Sequence, residues 1–268
     1  CIKNPWRFGH KRKGGFMSKE KTKTELYNHK ETAFQKLDQY LNILIESDDK
    51  KAKGKADKLC YWLRDWTNFI SFEGQFSPMR LRRYKRGEII KVHLGFNVGS
   101  EEGGLHYAVV LDKHNDKSSA VVTIVPLSSV KPNTDLLNLK KGTLFLGNEI
   151  FTSLNSKISA TDKHLKDELS ILKEFANTLD DKTPLPEKAN AFKRLKACED
   201  ELTFLNKMRA EVLKMRVGSL ALVNQITTVS KIRIYDPKTD HDVLSGIKLS
   251  NEKLDLIDKE IIKLYTNA

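Results

Sequence analysis

The hydrophobic period of this chain changes twice between residues 89 and 236, and that switch narrows the folds open to it. Ile89, Ile90, Val92 and Leu94 mark a first strand, after a basic lead of Arg80, Arg82, Arg83, Lys85 and Arg86. HYAVVLD (106–112), AVVTIVPLSS (120–129) and KGTLFLG (141–147) read as three more strands. They are set off by a glycine-containing loop, NVGSEEGGL (97–105), and by the turn HNDKSS (114–119). The run at 106–112 is apolar enough to be buried on both faces. The pattern then becomes helical. Leu165, Leu169, Leu172, Ala176 and Leu179 recur at spacings of 4, 3, 4 and 3. Ala191, Leu195, Cys198, Leu202 and Leu205 do the same after the break DDKTPLPEK (180–188). Two heptad-like segments joined by a Pro-containing turn predict an antiparallel helical hairpin. The β signal returns in SLALVNQITTVS (219–230) and KIRIYD (231–236), and a last helix starts near Ser250. The expected fold is α+β: a small β-barrel of short strands, interrupted by the hairpin and followed by a C-terminal helix.

A helical extension precedes the strands. Ala33, Leu37, Tyr40 and Leu44 predict a helix over 19–47, SDDKKAKGK (47–55) a polar connector, and Leu59, Trp62, Trp66 and Phe69 a second helix over 56–71. The expected segments are a basic leader at 1–16 ahead of Met17, an N-terminal helical hairpin at 17–78, the first part of the barrel at 79–152, the inserted hairpin at 153–212, and the last strands with the final helix at 213–268.

The net charge of +12 is uneven. Residues 1–86 carry 21 Lys+Arg against 10 Asp+Glu, whereas the other 182 residues carry 26 against 25. Basic stretches attract polyanions without reading their sequence. Cys1, Cys60 and Cys198 are far apart and show no zinc spacing, so Cys60 and Cys198 read as core thiols in a reducing cytoplasm. No apolar run reaches transmembrane length, and no membrane partner is expected. Phosphate-binding ATPase, Rossmann, zincin, EF-hand and kinase patterns are absent, and neither a metal nor a cofactor is expected.

What remains for chemistry is the glycine loop and the strands after it. KRGEIIKVHLGFNVGSEEGGLHYAVVLD (85–112), VVTIVPLSS (121–129) and SLALVNQITTVSKIRI (219–234), in that order and followed by an amphipathic helix, resemble the MazF/PemK family of toxin endoribonucleases. The resemblance covers a little under half of the chain. It implies an SH3-like or CcdB-like barrel, a homodimer with single-stranded RNA or mRNA across the dimer face, and an antitoxin protein that occupies the RNA groove. It also implies metal-independent cleavage by the adjacent 2′-hydroxyl, as part of a toxin–antitoxin or phage-defence system.

The chain departs from the family pattern at four positions. His106-Tyr107 stand where Arg-Pro is usual, Ser128 where Thr is usual, and Thr227 where many members have Arg. Ser128 keeps the hydroxyl. An imidazole serves as base or acid near neutrality, whereas a guanidinium serves better as a charge clamp. His106 and Ser128 are therefore the expected catalytic residues. Arg83, Lys85, Arg86, Asn97, Ser100, Glu101, Ser129 and Gln225 are the expected RNA contacts. The missing arginine also leaves open a second reading, a non-catalytic CcdB-like barrel that acts by binding a protein partner.

Overall fold

The computed structural model describes residues 20–180, 182–215 and 218–267, so the basic leader at 1–16 lies outside the described residues. The chain divides into two units, one ending at Cys60 and one spanning Tyr61–Ala268.

In the first unit, α1 (Lys23–Glu46) opens on a capping box. The Thr22 hydroxyl accepts from the Glu25 amide at 3.2 Å, and the Glu25 carboxylate accepts from the Thr22 amide at 2.7 Å. The second helix, α2 (Lys50–Phe72), begins six residues before its expected start. Asp49 accepts from the Lys51 amide at 2.9 Å and caps it, which leaves only residues 47–49 as connector. The Lys55 ammonium donates to the Tyr40 hydroxyl at 2.6 Å. Cys60 is exposed, contrary to its reading as a core thiol. It lies one residue, about 100° of turn, beyond Leu59 and so off the apolar stripe.

The second unit is built on antiparallel strands: β1 (Ile89–His93), β2 (Leu105–Val110), β3 (Val121–Ser129), β4 (Thr143–Gly147), β5 (Ser219–Leu222), β6 (Thr227–Ser230) and β7 (Ile234–Asp236). They pair in an open path, β4-β5-β3-β2-β1-β7, with β6 also on β3. Because strand side chains alternate between faces, β1 to β3 feed two apolar clusters. Ile89, Val109, Val125 and Leu127 face one; Ile90, Val92, Ala108, Val110, Val122 and Ile124 face the other, with Val229 and Ile234.

Residues 219–230 are not one strand. β5 pairs with Leu127–Ser129 and β6 with Val121–Ile124, and between them the chain makes a 3-10 turn, Val223–Gln225. Comparing Leu127↔Ala221 with Ile124↔Thr227 shows three extra residues on that side. The break faces Pro126. The Thr123 carbonyl points to β2, where it accepts from the Leu111 amide, so by alternation residue 126 presents its backbone to the β5–β6 edge. Proline has no N–H to continue a ladder there.

Between β4 and β5 run α3 (Glu149–Thr178) and α4 (Leu185–Lys214), which pack on each other. Their cross-links run in antiparallel order: Asp162 with Arg209 at 2.8 Å, His164 with Glu201 at 3.0 Å, Glu168 with Arg194 at 2.8 Å. Gly147, at φ 75°, makes the turn that starts α3 directly after β4. Ile150, Leu154, Leu165, Cys198, Leu205 and Met208 of these helices join the first cluster, so α3 and α4 share the core of the sheet. A polar group sits at the same junction. Glu211 of α4 accepts from the Lys91 ammonium and the Tyr107 hydroxyl. Burial alone would raise the Glu211 carboxyl, but these two hydrogen bonds together with the charges of Lys91 and Lys214 hold it below its usual range. Finally, α5 (Asn251–Tyr265) is capped by Ser250 and adds Leu254 and Ile257 to that core.

Candidate functional site

The loop from β1 to β2 is pinned at both ends. The Leu94 amide donates to the Gly104 carbonyl at 2.7 Å and the Gly104 amide to the Gly95 carbonyl at 2.6 Å. A side chain at Gly103 would bring a Cβ to 2.9 Å from the Gly95 oxygen, so this close approach requires glycine. Asn97 and Glu101 work inside the loop: the Asn97 amide donates to the Glu102 carbonyl at 2.6 Å, and Glu101 accepts from the Val98 amide at 3.3 Å. Gln225 holds it from outside. Its Nε2 donates to the Ser100 carbonyl at 3.1 Å and its Oε1 accepts from the Glu102 amide at 3.3 Å. Gln225 does this from the 3-10 turn, not from the strand expected at that position. The turn that Pro126 forces is thus the piece that orders the glycine loop.

His106 follows the loop on β2, opposite Val92 of β1. Its Nδ1 lies 3.1 Å from the Leu127 carbonyl and 3.7 Å from Glu102 Oε1. A carbonyl only accepts, so this contact places the proton on Nδ1 and leaves Nε2 as an open acceptor. Continuing the register Ala108↔Pro126 brings His106 opposite Ser128 at the end of β3. Among the described residues the Ser128 hydroxyl has no hydrogen-bond partner. Ser128 and Ser129 also line a small cleft at the root of the insertion, with Phe151, Met215 and Ser219.

Beside the loop lies a polar groove of about 430 Å³, lined among others by Asn97, Glu101, Glu102, Gln225, Thr227 and Arg233. Arg233 was not foreseen from the sequence. It comes from a 3-10 turn between β6 and β7 (Lys231–Arg233). Its Nε donates to the His93 carbonyl at 2.7 Å, and its guanidinium lies 5.4 Å from the centre of the Trp62 ring. Among the described residues it has no carboxylate partner, and burial pushes its pKa down. A charged residue between Ile232 and Ile234, in a run otherwise read as an apolar strand, was the available signal.

Next to it, His93 stacks on Trp62 at 4.7 Å between ring centres. Its Nδ1 accepts from the Gly95 amide at 3.0 Å, which places the remaining proton on Nε2, 3.8 Å from Asp65. Burial first, and then the nearby Arg233 and His106, push His93 below its ordinary pKa despite Asp65.

The expected basic contacts are not part of this site. Arg86 donates to the Leu111 carbonyl and pairs with Asp258 of α5. Leu111 is five residues along from His106, roughly 17 Å at strand rise. Arg83 lies 3.9 Å from Asp116 and Lys85 is exposed, both at that same far end of the β1–β2 ladder. Clustering in sequence put them before β1, whereas the catalytic candidates sit where β1 ends. Among the described residues no group of three His, Cys, Asp or Glu side chains is arranged to hold a metal ion. No helix among them is long and apolar enough to cross a membrane.

Residues 85–183 match the family model described as PemK-like, MazF-like toxin of type II toxin-antitoxin system. No curated protein matches the chain.

Proposed function

We propose, on the premise that through residues 85–183 this chain belongs to the PemK-like, MazF-like toxins of type II toxin–antitoxin systems, that it is an endoribonuclease cutting single-stranded RNA, mRNA included, by attack of a 2′-hydroxyl on the adjacent phosphorus. The observation that carries this reading is the 3.1 Å contact of His106 Nδ1 with the Leu127 carbonyl. With Nδ1 protonated toward the Leu127 carbonyl, Nε2 is free to take the proton of the attacking hydroxyl. Glu102, 3.7 Å away, stabilises the imidazolium that forms. The P–O bond to the 5′-oxygen then breaks, leaving a 2′,3′-cyclic phosphate and, once the leaving oxygen is protonated, a 5′-hydroxyl. Ser128, opposite His106 in register, donates to a non-bridging oxygen as its charge grows. Arg233 supplies the guanidinium that the family pattern has elsewhere and neutralises a neighbouring phosphate.

In the same reading the sheet curls as an SH3-like or CcdB-like barrel around the cluster shared by β1, β2, β3, β6 and β7. The toxin works as a homodimer in the cytoplasm, needs no metal, and is inhibited by an antitoxin protein over its RNA groove. Asn97, Ser100, Glu101 and Gln225 shape the groove more than they grip RNA, because their polar groups already hold the loop.

The test is incubation with a long single-stranded RNA in EDTA, beside His106→Ala and Ser128→Ala. The expected result is discrete fragments ending in 2′,3′-cyclic phosphate, lost with His106→Ala and reduced with Ser128→Ala. Intact RNA with the folded wild-type protein sinks the reading and favours the partner-binding barrel.

A further inference from the structure

A second groove, about 450 Å³, meets the first at Arg233, which lines both. Its volume lies within the roughly 300–1,000 Å³ of ordinary ligand pockets. One wall is the face of α2 carrying Trp62, Trp66 and Phe69, at spacings of four and three residues; Phe76 and Ile232 are on other walls. Trp62 and Phe69 pack as a tilted pair, ring centres 6.3 Å apart, and Trp66 has no ring partner among the described residues. Trp62 is occupied by its stack on His93, whereas Trp66 is 48% exposed. The cation at the junction has no carboxylate partner among the described residues, and only its Nε is bonded. Arg80, two residues beyond the groove-lining Pro78, is exposed and equally unpaired among them.

Resting on the ribonuclease reading, we propose that this groove is a base-stacking subsite that extends the RNA path beyond the cleavage site. An unstacked nucleobase lies on Trp66 and the adjoining phosphate on Arg233. The two chemistries suit one ligand class, since single-stranded nucleic acid alternates flat π-faces with anions, and stacking tolerates any base. A docked apolar helix would cover the aromatics but leave the Arg233 guanidinium without an anion. Glu73 on the rim repels phosphate and accepts from a base amino group, which orients the base edge toward it. α2, which supplies the aromatic wall, falls outside the matched residues 85–183.

The experiment is equilibrium binding of a fluorescently labelled 2′-O-methyl RNA of on the order of twelve nucleotides, which lacks the attacking hydroxyl. It compares wild type, Trp66→Phe, Trp66→Leu and Trp66→Ala in the full chain, with cleavage of unmodified RNA in parallel. Trp66→Ala and Trp66→Leu are expected to weaken binding about tenfold, and Trp66→Phe to retain most of it. KM for cleavage rises with kcat kept, and RNA quenches tryptophan fluorescence in wild type more than in Trp66→Leu. Leucine keeps an apolar surface without a π-face, so a merely apolar contact would survive it. Equal binding by all four proteins, with wild type binding and cutting RNA, overturns the subsite alone and leaves the groove to a protein partner. A wild type that neither binds nor cuts RNA overturns the subsite together with the ribonuclease reading.

Discussion

The Arg233 guanidinium lies over the Trp62 ring, 5.4 Å from its centre, while its Nε holds the His93 carbonyl. A residue from the turn before β7 is thereby fixed against a helix that precedes β1. The stack holds the cation in place but supplies no counter-charge.

If that missing counter-charge is a phosphate, Arg233→Gln should reduce the salt dependence of RNA binding. The slope of log K against log salt for single strands is about −0.7 per neutralised phosphate, so it should flatten by about 0.7. Arg233→Lys should keep the slope but lose the planar stack on Trp62. Titrations across a range of salt concentrations measure both.

Gln225 bonds the loop at Ser100 and Glu102. Gln225→Ala removes both bonds, each worth about 1 kcal/mol at most in this partly open setting. The Glu102 amide should then exchange its hydrogen several-fold faster, with global stability little changed. Native-state hydrogen exchange resolved at that amide decides it, and an unchanged rate would show that the loop holds itself.

Glu211 binds Lys91 and Tyr107 where the insertion meets the sheet. Glu211→Ala strands a half-buried ammonium and a phenol, and should cost about 1–3 kcal/mol. The double change Lys91→Met with Glu211→Leu should cost much less. Urea unfolding of the two variants separates pairing from packing.

His93 titrates below its ordinary 6.5, because burial disfavours the imidazolium. Its folded pKa is depressed, so the unfolded chain takes up its proton first as pH falls. Stability is unaffected well above 6.5, then declines as pH drops through 6.5 toward the lower folded value. Asp65 opposes this decline, whereas Arg233 and His106 add to it. His93→Gln should flatten the fall in unfolding free energy below about pH 6.5. A slope equal to wild type would assign the fall to other groups.

The strands β1 to β4 and the helices α3, α4 and α5 were legible because each carries its own period along the chain, and burial of one face fixes that period locally. Local pattern also exposed the glycine loop, since a tight loop needs glycine whatever surrounds it, while His106 came to notice only through the family resemblance. The break at Val223–Gln225 was not legible, because its cause is Pro126, nearly a hundred residues earlier, on the strand alongside. For the same reason Gln225 read as a strand residue when it is the clamp of the loop. Cys60 shows the opposite limit: a helical period says that a face is apolar, but one residue's offset decides which side chains share it.

The sequence by itself determined the order and type of most elements and the residue types available for chemistry, since those follow from short-range periodicity and from side-chain identity. Only the tertiary structure decided which charges meet. Arg83, Lys85 and Arg86, adjacent in the chain to β1, end at the far end of its ladder, while Arg233, distant in the chain, reaches the groove beside the end of β1. The reason is geometric: antiparallel pairing brings the end of one strand beside the start of the next, so proximity in space follows register and not distance along the chain.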